Sequence, residues 1–290
     1  MQREEGFGLS APGDRSARTG SASRGGCVAV DGVAVNLQTL ESTCAEVIRN
    51  VRNRQGFTLF TLNLDHLTKL RTDATFRSVY ARATYVSADG WPVVWFAKLQ
   101  GAALKRTSGA DLVEPLCEAA AVEGVSIYLI GPGKVSQEKA ISRLSDRYPD
   151  VRIAGSETPL VKSATSSEIE EEAQIDEIAA RINASGAALC FVALGAPKQE
   201  IIADLLARRC GSVGFLCIGA AMDFISGAAR RAPKWMRRYN LEWLWRLGID
   251  PRRLALRYLG CGYMLGLLLA ETAVAHRVRG RPIAAGDPGA

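Results

Sequence analysis

Six short apolar runs punctuate the first three quarters of the chain: TLFTL at 58–62, the segment at 84–88, VSIYLI at 125–130, the segment at 151–154, AALCFVAL at 187–194 and VGFLCI at 213–218. Each has the length and the β-branched or aromatic content of a strand. Most are followed by Gly, Asp or Asn and then by a helical pattern. Strands that are apolar throughout and alternate with helices predict a parallel sheet covered on both faces. The expectation is a Rossmann-like, doubly wound α/β domain over residues 27–228, usual for one domain. Ahead of its first long helix, residues 27–37 with Asp31-Gly32 predict a small hairpin. Ser167 and Glu170 stand at capping-box spacing and predict the start of a helix running towards Asn183.

The pattern changes near Gly227. Strand signals stop, and residues 229–290 read as a helical, aromatic and basic segment holding three of the five tryptophans, Trp235, Trp243 and Trp245. An apolar run at 258–270 is about 13 residues long, short of the roughly 20 that cross a bilayer. Arginines flank it on both sides. This predicts a segment lying on an anionic membrane surface with its Trp rings at headgroup level. The competing reading is a C-terminal helix packed on the body with a solvated basic face.

Charge sharpens that division. The chain carries 36 Lys+Arg and 30 Asp+Glu, a net +6, yet residues 230–281 hold twelve basic side chains against three acidic ones. The remainder is therefore mildly acidic, and a polyanionic partner is expected for the tail alone. Tail tryptophans at helical spacing with leucines suit a packed or membrane-facing side better than a base-stacking platform, so no nucleic-acid partner is expected. Seven cysteines without a CxxC pair, and only two histidines, argue for free thiols in a reducing compartment and against a disulfide framework or a metal site. Residues 1–26 are polar and Gly/Ser-rich with no apolar core, the composition of a disordered leader and not of a signal peptide. The expected address is cytoplasmic.

In open α/β sheets, ligands bind at the carboxyl ends of the strands. The polar residues that fall there are the candidates: Thr61 and Asn63 of TLN, Asp89 of ADG, Gly131 of GPG, Gly195, Gln199 and Glu200 of GAPKQE, and Gly219 and Asp223 of IGAAMD. Arg106 and Asp111 mark another loop-to-helix boundary. A tight strand-to-helix turn explains any one of these motifs; together on one sheet edge they favour a nucleotide site. Asp89 is equally a turn residue or a general base for a hydroxyl nucleophile by position alone.

The motifs taken in order carry more. TLN at 61–63, ADG at 88–90, RTSGADL at 106–112, YLIGPG at 128–133, LGAPKQE at 194–200, IGAAMDFISG at 218–227, RRAPKWM at 230–236 and LEWLWRLGIDPRR at 241–253 resemble the WecG/TagA/CpsF family of bacterial glycosyltransferases over about residues 30–260. The resemblance implies an inverting, metal-independent transferase without a cofactor. Its donor is a UDP-sugar (UDP-glucose or a UDP-N-acetylmannosamine type), its acceptor a polyprenyl-diphosphate-linked sugar, and its product a cell-surface glycan or exopolysaccharide. It implies that Asp89 is the base, that Thr61, Asn63 and Gln199 line the pocket, and that Arg231, Arg246 and Arg253 serve the diphosphate. It also implies a peripheral position on the inner face of the cytoplasmic membrane, with oligomers possible. After the strand at 151–154, this chain has GSETPLVKSATSS in place of a Gly-Tyr-Phe-like stretch. A non-catalytic, nucleotide-binding scaffold of the same fold is the alternative.

Overall fold

A computed structural model describes residues 27–131, 133–159 and 172–279. The leader at 1–26, the capping-box pair Ser167 and Glu170, and Arg281 lie outside the described residues. Along the chain run β1 (Val28–Val30), β2 (Val33–Val35), α1 (Leu40–Arg52), β3 (Phe57–Leu62), α2 (Leu64–Thr72), α3 (Ala74–Ala81), β4 (Tyr85–Ala88), α4 (Trp91–Leu99), α5 (Gly109–Glu123) and β5 (Ser126–Ile130). Then follow α6 (Lys134–Arg147), β6 (Arg152–Glu157), α7 (Glu172–Ser185), β7 (Leu189–Val192), α8 (Lys198–Ala207), β8 (Gly214–Cys217), α9 (Ala221–Ser226), α10 (Lys234–Arg238), α11 (Glu242–Ile249) and α12 (Pro251–Arg279).

All six expected strands form, in one sheet of order β4-β3-β8-β7-β5-β6 with every pairing parallel. Their side chains alternate between two cores. Phe60, Leu62, Ile130, Val192 and Phe215 face one layer with α2, α3, α4, α7, α8 and α12. Leu59, Ile127, Leu129, Phe191 and Leu216 face the other with α1, α5, α6 and α9. A strand buried on both faces has no polar side to show, which is why these segments read as unbroken apolar runs. Fully burying a Phe such as Phe60, Phe191 or Phe215 stabilises the fold by about 1.5–3 kcal/mol each.

The expected hairpin is β1–β2, with Asp31 and Gly32 both at positive φ (50° and 78°), the backbone a type I′ turn requires. Just beyond it, Asn36 covers the open edge of β4. Its backbone N–H donates to Val86 O at 3.1 Å, and its Oδ1 accepts from Val86 N at 2.8 Å.

The tail departs from expectation in one respect. The apolar run at 258–270 is not a short isolated segment but the middle of α12, a 29-residue helix. Its stretch Pro251–Val274 is long and apolar enough to cross a bilayer by length and composition, with 22% of its apolar 18-residue part buried. The run looks short in sequence because Arg252, Arg253 and Arg257 interrupt the apolar pattern upstream, while Leu254 continues the buried stripe. One side of α12 is docked on the body. Leu254, Cys261, Met264 and Leu268 are buried, Arg257 pairs with Asp65 of α2 at 2.8 Å, and Glu271 pairs with Arg71 of α2 at 2.8 Å. Arg71 also grips Asp31 of the hairpin turn, so a single guanidinium joins hairpin, α2 and α12. The opposite side leaves Leu256, Leu259, Tyr263 and Val274 exposed.

Candidate active site

The carboxyl ends of β3, β4, β7 and β8 open onto one edge of the sheet, and Asp89 stands at the end of β4. Its backbone N–H donates to Leu62 O at 2.7 Å, which extends the β3–β4 ladder by one residue and fixes where the carboxylate starts. Gly90 follows at φ 106°, ψ 147°, a conformation essentially restricted to glycine, and the chain turns at once into α4 with Pro92 in its first turn. The ADG motif is thus a strand end, a sharp corner and a helix start.

Across from it, the loop before α5 is laced to β4: Thr107 N donates to Ala88 O at 2.8 Å and Ser87 Oγ to Thr107 O at 3.0 Å. This holds Arg106 above Asp89, Nη1 to Oδ1 4.0 Å. Ser108 caps α5, accepting from Asp111 N and donating to Asp111 Oδ2 at 2.6 Å. Gly109 lets that helix start lie against β8; a Cβ there would meet Ile218 Cα at 2.6 Å.

The tail completes the arrangement. Arg231 Nη2 reaches Asp111 Oδ1 at 2.5 Å, and Arg237 Nη1 lies 3.9 Å from the same oxygen. Glu242 of α11 stands among Arg106 (3.8 Å), Arg231 (3.9 Å) and Arg246 (3.9 Å). Arg231 and Arg246 also lie over the Phe224 ring at 5.7 and 5.2 Å, a favourable setting for guanidinium. Trp245 Nε1 donates to Arg230 O at 3.0 Å, tying α11 to the RAP segment. The result is a cluster of four arginines and three carboxylates at one strand end, drawn from both halves of the chain. Arg231 Nε and Arg237 Nε are buried there without a hydrogen-bond partner among the described residues.

The two body carboxylates are pushed in opposite directions. Loss of water raises Asp89 to about 6, against the lowering pull of Arg106; Glu242 adds to the rise. Its side chain keeps 27% of its surface open, enough for a substrate hydroxyl to approach. Burial would also raise Asp111, but the Ser108 hydroxyl and the Arg231 and Arg106 guanidiniums outweigh it and hold that carboxyl below its usual value. Such divergence within one site separates a proton acceptor from a fixed charge.

Of the residues expected from sequence, Asp89, Arg106, Asp111, Arg231 and Arg246 come together here. The others are placed differently. Thr61 is buried in β3, and Asn63 caps α2 by accepting from His66 N at 3.1 Å. Gly195 and Gly219 turn at positive φ (74° and 58°) after β7 and β8. Gln199 is 2% exposed with both ends of its amide engaged: Nε2 donates to Glu200 Oε1 at 2.7 Å, and Oε1 accepts from Gly219 N at 3.1 Å. Glu200 is fully buried beside His66, whose Nδ1 lies 2.7 Å from Tyr80 Oη. Burial raises Glu200 to about 7 and lowers His66 to about 3. Gly131 sits against Gln137 at the end of β5, and Asp223 accepts from Ser136 Oγ at 2.9 Å, joining α9 to α6. Arg253 turns away, 78% exposed and paired with Asp250 at 2.7 Å.

Two members of the cluster, Arg237 and Glu242, were not among the sequence candidates. Glu242 was legible in principle: it is one of only three acids in the basic stretch 230–281, and it stands four residues before Arg246. Among the described residues, no group of three or more His, Cys, Asp or Glu side chains is placed to hold a metal ion.

Residues 28–278 match the Glycosyl transferase WecG/TagA/CpsF family. The chain belongs to that family. It is a glycosyltransferase, and the match runs through both the sheet and the tail, the two parts that supply the arginine–carboxylate cluster.

Proposed function

We propose that this glycosyltransferase moves a sugar from a UDP-sugar to a polyprenyl-diphosphate-linked sugar acceptor, with inversion and without a metal, at the inner face of the cytoplasmic membrane. The observation that carries the reading is the cluster itself. An ionisable carboxylate with a raised pKa and an open face lies beside guanidiniums whose donors are not all used.

In this reaction the acceptor hydroxyl oxygen bonds to the anomeric carbon of the donor. The bond from that carbon to the diphosphate oxygen breaks, and UDP leaves with the electron pair. The acceptor proton passes to Asp89. The transition state is oxocarbenium-like, with negative charge developing on the departing diphosphate. Arg106, Arg231 and Arg246 stand where cations would meet that charge, a contribution that is usually the largest in such chemistry. Two of these three come from the tail, so the site is complete only while the tail is docked.

The membrane part rests on the surface of that tail. Trp235, Trp243, Leu244 and Ile249 on α10 and α11 are exposed, as are Leu256, Leu259 and Tyr263 on α12. Exposed apolar side chains among arginines suit an anionic lipid surface, where the acceptor resides. The deciding experiment is a transfer assay with a panel of UDP-sugars and a short-chain polyprenyl-diphosphate-sugar acceptor, comparing wild type with Asp89→Asn. Product from one donor, reduced at least about a hundredfold by the substitution, is the expected result. Product that survives Asp89→Asn removes Asp89 as the base; no turnover with any donor despite UDP binding favours the non-catalytic scaffold.

A further inference from the structure

Glu242 is a member of the cluster to which the transfer reaction gives no role. It lies 3.8–3.9 Å from guanidinium nitrogens of Arg106, Arg231 and Arg246, too far for a hydrogen bond to any of them. Arg231 Nε, one of these three atoms, is buried with no hydrogen-bond partner among the described residues. A carboxylate kept for structure closes on its arginine, as Asp111 does on Arg231 at 2.5 Å. Glu242 instead sits in the middle of a seat that is larger than it is.

Charge points the same way. With Glu242 in place, four guanidiniums face three carboxylates and the cluster is one charge positive. Without it the excess is two, which matches the paired negative charges of a diphosphate diester. The helix that carries Glu242 is also lightly held. No residue of α11 is fully buried, and Trp243, Leu244 and Ile249 are exposed.

We propose that Glu242 is a resident anion in the diphosphate seat, displaced when a diphosphate-bearing ligand binds. It occupies the seat in the empty enzyme and so sets a threshold, because an incoming ligand must offer the arginines more than one carboxylate does. The inference rests on the functional reading above for the identity of that ligand, but not for the existence of the seat.

The test is calorimetric titration of wild type and Glu242→Gln with two probes, inorganic pyrophosphate and UDP, at fixed ionic strength. Removing a competing unit charge about 4 Å from the arginines should tighten pyrophosphate roughly fivefold or more, even with water-like screening. UDP should tighten in step. Unchanged or weaker pyrophosphate binding in Glu242→Gln overturns the inference, since a brace for the arginines predicts weakening. Absence of pyrophosphate binding to both proteins overturns it as well. Pyrophosphate that tightens while UDP binds neither protein upholds the seat and overturns the nucleotide donor. Glu242→Ala is read by the same outcomes if the Gln variant shows no cooperative melt.

Discussion

Arg231 and Asp111 are 120 positions apart in sequence and 2.5 Å apart in the fold, and their contact joins the RAP segment of the tail to the first turn of α5. Both side chains keep only about a fifth of their surface in water, but Asp111 would keep Arg106 at 3.2 Å and the Ser108 hydroxyl at 2.6 Å if Arg231 were removed, so its carboxylate would not be left unpaired. The value of the contact is positional: it sets a guanidinium from the tail against Asp111 and Glu242 in the cluster that holds Asp89. Arg231→Ala should therefore leave the melting temperature within a few degrees of wild type while cutting transfer by about 10²–10³. Turnover and a thermal melt on the same preparation check this. A large loss of stability with normal turnover of the folded fraction would show that the contact is structural.

The raised pKa of Asp89 fixes the direction of the pH dependence. As the proposed base, Asp89 must be ionised to accept the acceptor's proton, and it ionises only as the pH passes about 6. The expected kcat/KM is level above that value and falls about tenfold for each pH unit below it. In Asp89→Asn the residual rate should lose this limb. A wild-type profile still flat at pH 5 would assign the proton to another group.

Most of the strands were legible because β3, β4, β7 and β8 are buried along their whole length and β5 nearly so, so that their runs stand out as apolar without any alternation. Their order was not legible. β3, β7 and β8 have nearly the same composition, and nothing local in Val213 or Gly214 says that β8 pairs between β3 and β7. Only β6, with its polar RIAGSE sequence, shows its edge position in its residues. The site divided along the same line. Asp89, Arg106 and Asp111 could be placed because they follow strands or begin a helix. Arg237 could not, since an ion pair with a residue 126 positions earlier leaves no periodic trace. The full length of α12 was hidden for a related reason. Arg257 breaks the apolar run in sequence, yet in the fold it faces Asp65 on α2 and costs the helix nothing.

That docking leaves one side of α12 free, and Leu259 and Tyr263 lie on it four residues apart, 69% and 71% exposed. If this side meets lipid, the protein should sediment with vesicles containing anionic phospholipid at low salt and less so at high salt. Replacing both residues by Glu places two charges on the free face without touching the buried stripe. The double variant should lose vesicle binding while its melt changes by no more than about 1 kcal/mol, as exposed substitutions do. Wild type that stays in the supernatant at low salt would leave the packed-helix reading of the tail in possession of the field.

Glu200 offers a prediction about the interior. It is fully buried; Gln199 Nε2 donates to one carboxyl oxygen, and the other has no partner. Among the described residues no Lys or Arg lies within ion-pair distance, and its neighbour His66 is held neutral by burial, at about 3. With a folded value of about 7 against an ordinary 4.5, Glu200 binds its proton more tightly in the native protein than in the unfolded chain. The linkage sign follows. Its contribution to stability is fully present below about pH 4.5 and is lost as the pH rises towards and through 7. The loss is on the order of 3 kcal/mol, from the size of the shift. His66 has the opposite slope, losing stability as the pH falls below about 6.5, so the wild-type curve alone mixes the two. The difference between wild type and Glu200→Gln isolates the carboxyl, because Gln keeps an acceptor for Gln199 but does not titrate. Denaturant melts of both proteins at pH 5 and pH 8 should show the Gln variant gaining on wild type by roughly 2–3 kcal/mol at the higher pH. A difference that stays constant between the two pH values would mean that Glu200 is already ionised at pH 5, and that a cation or water not seen in its surroundings compensates its charge.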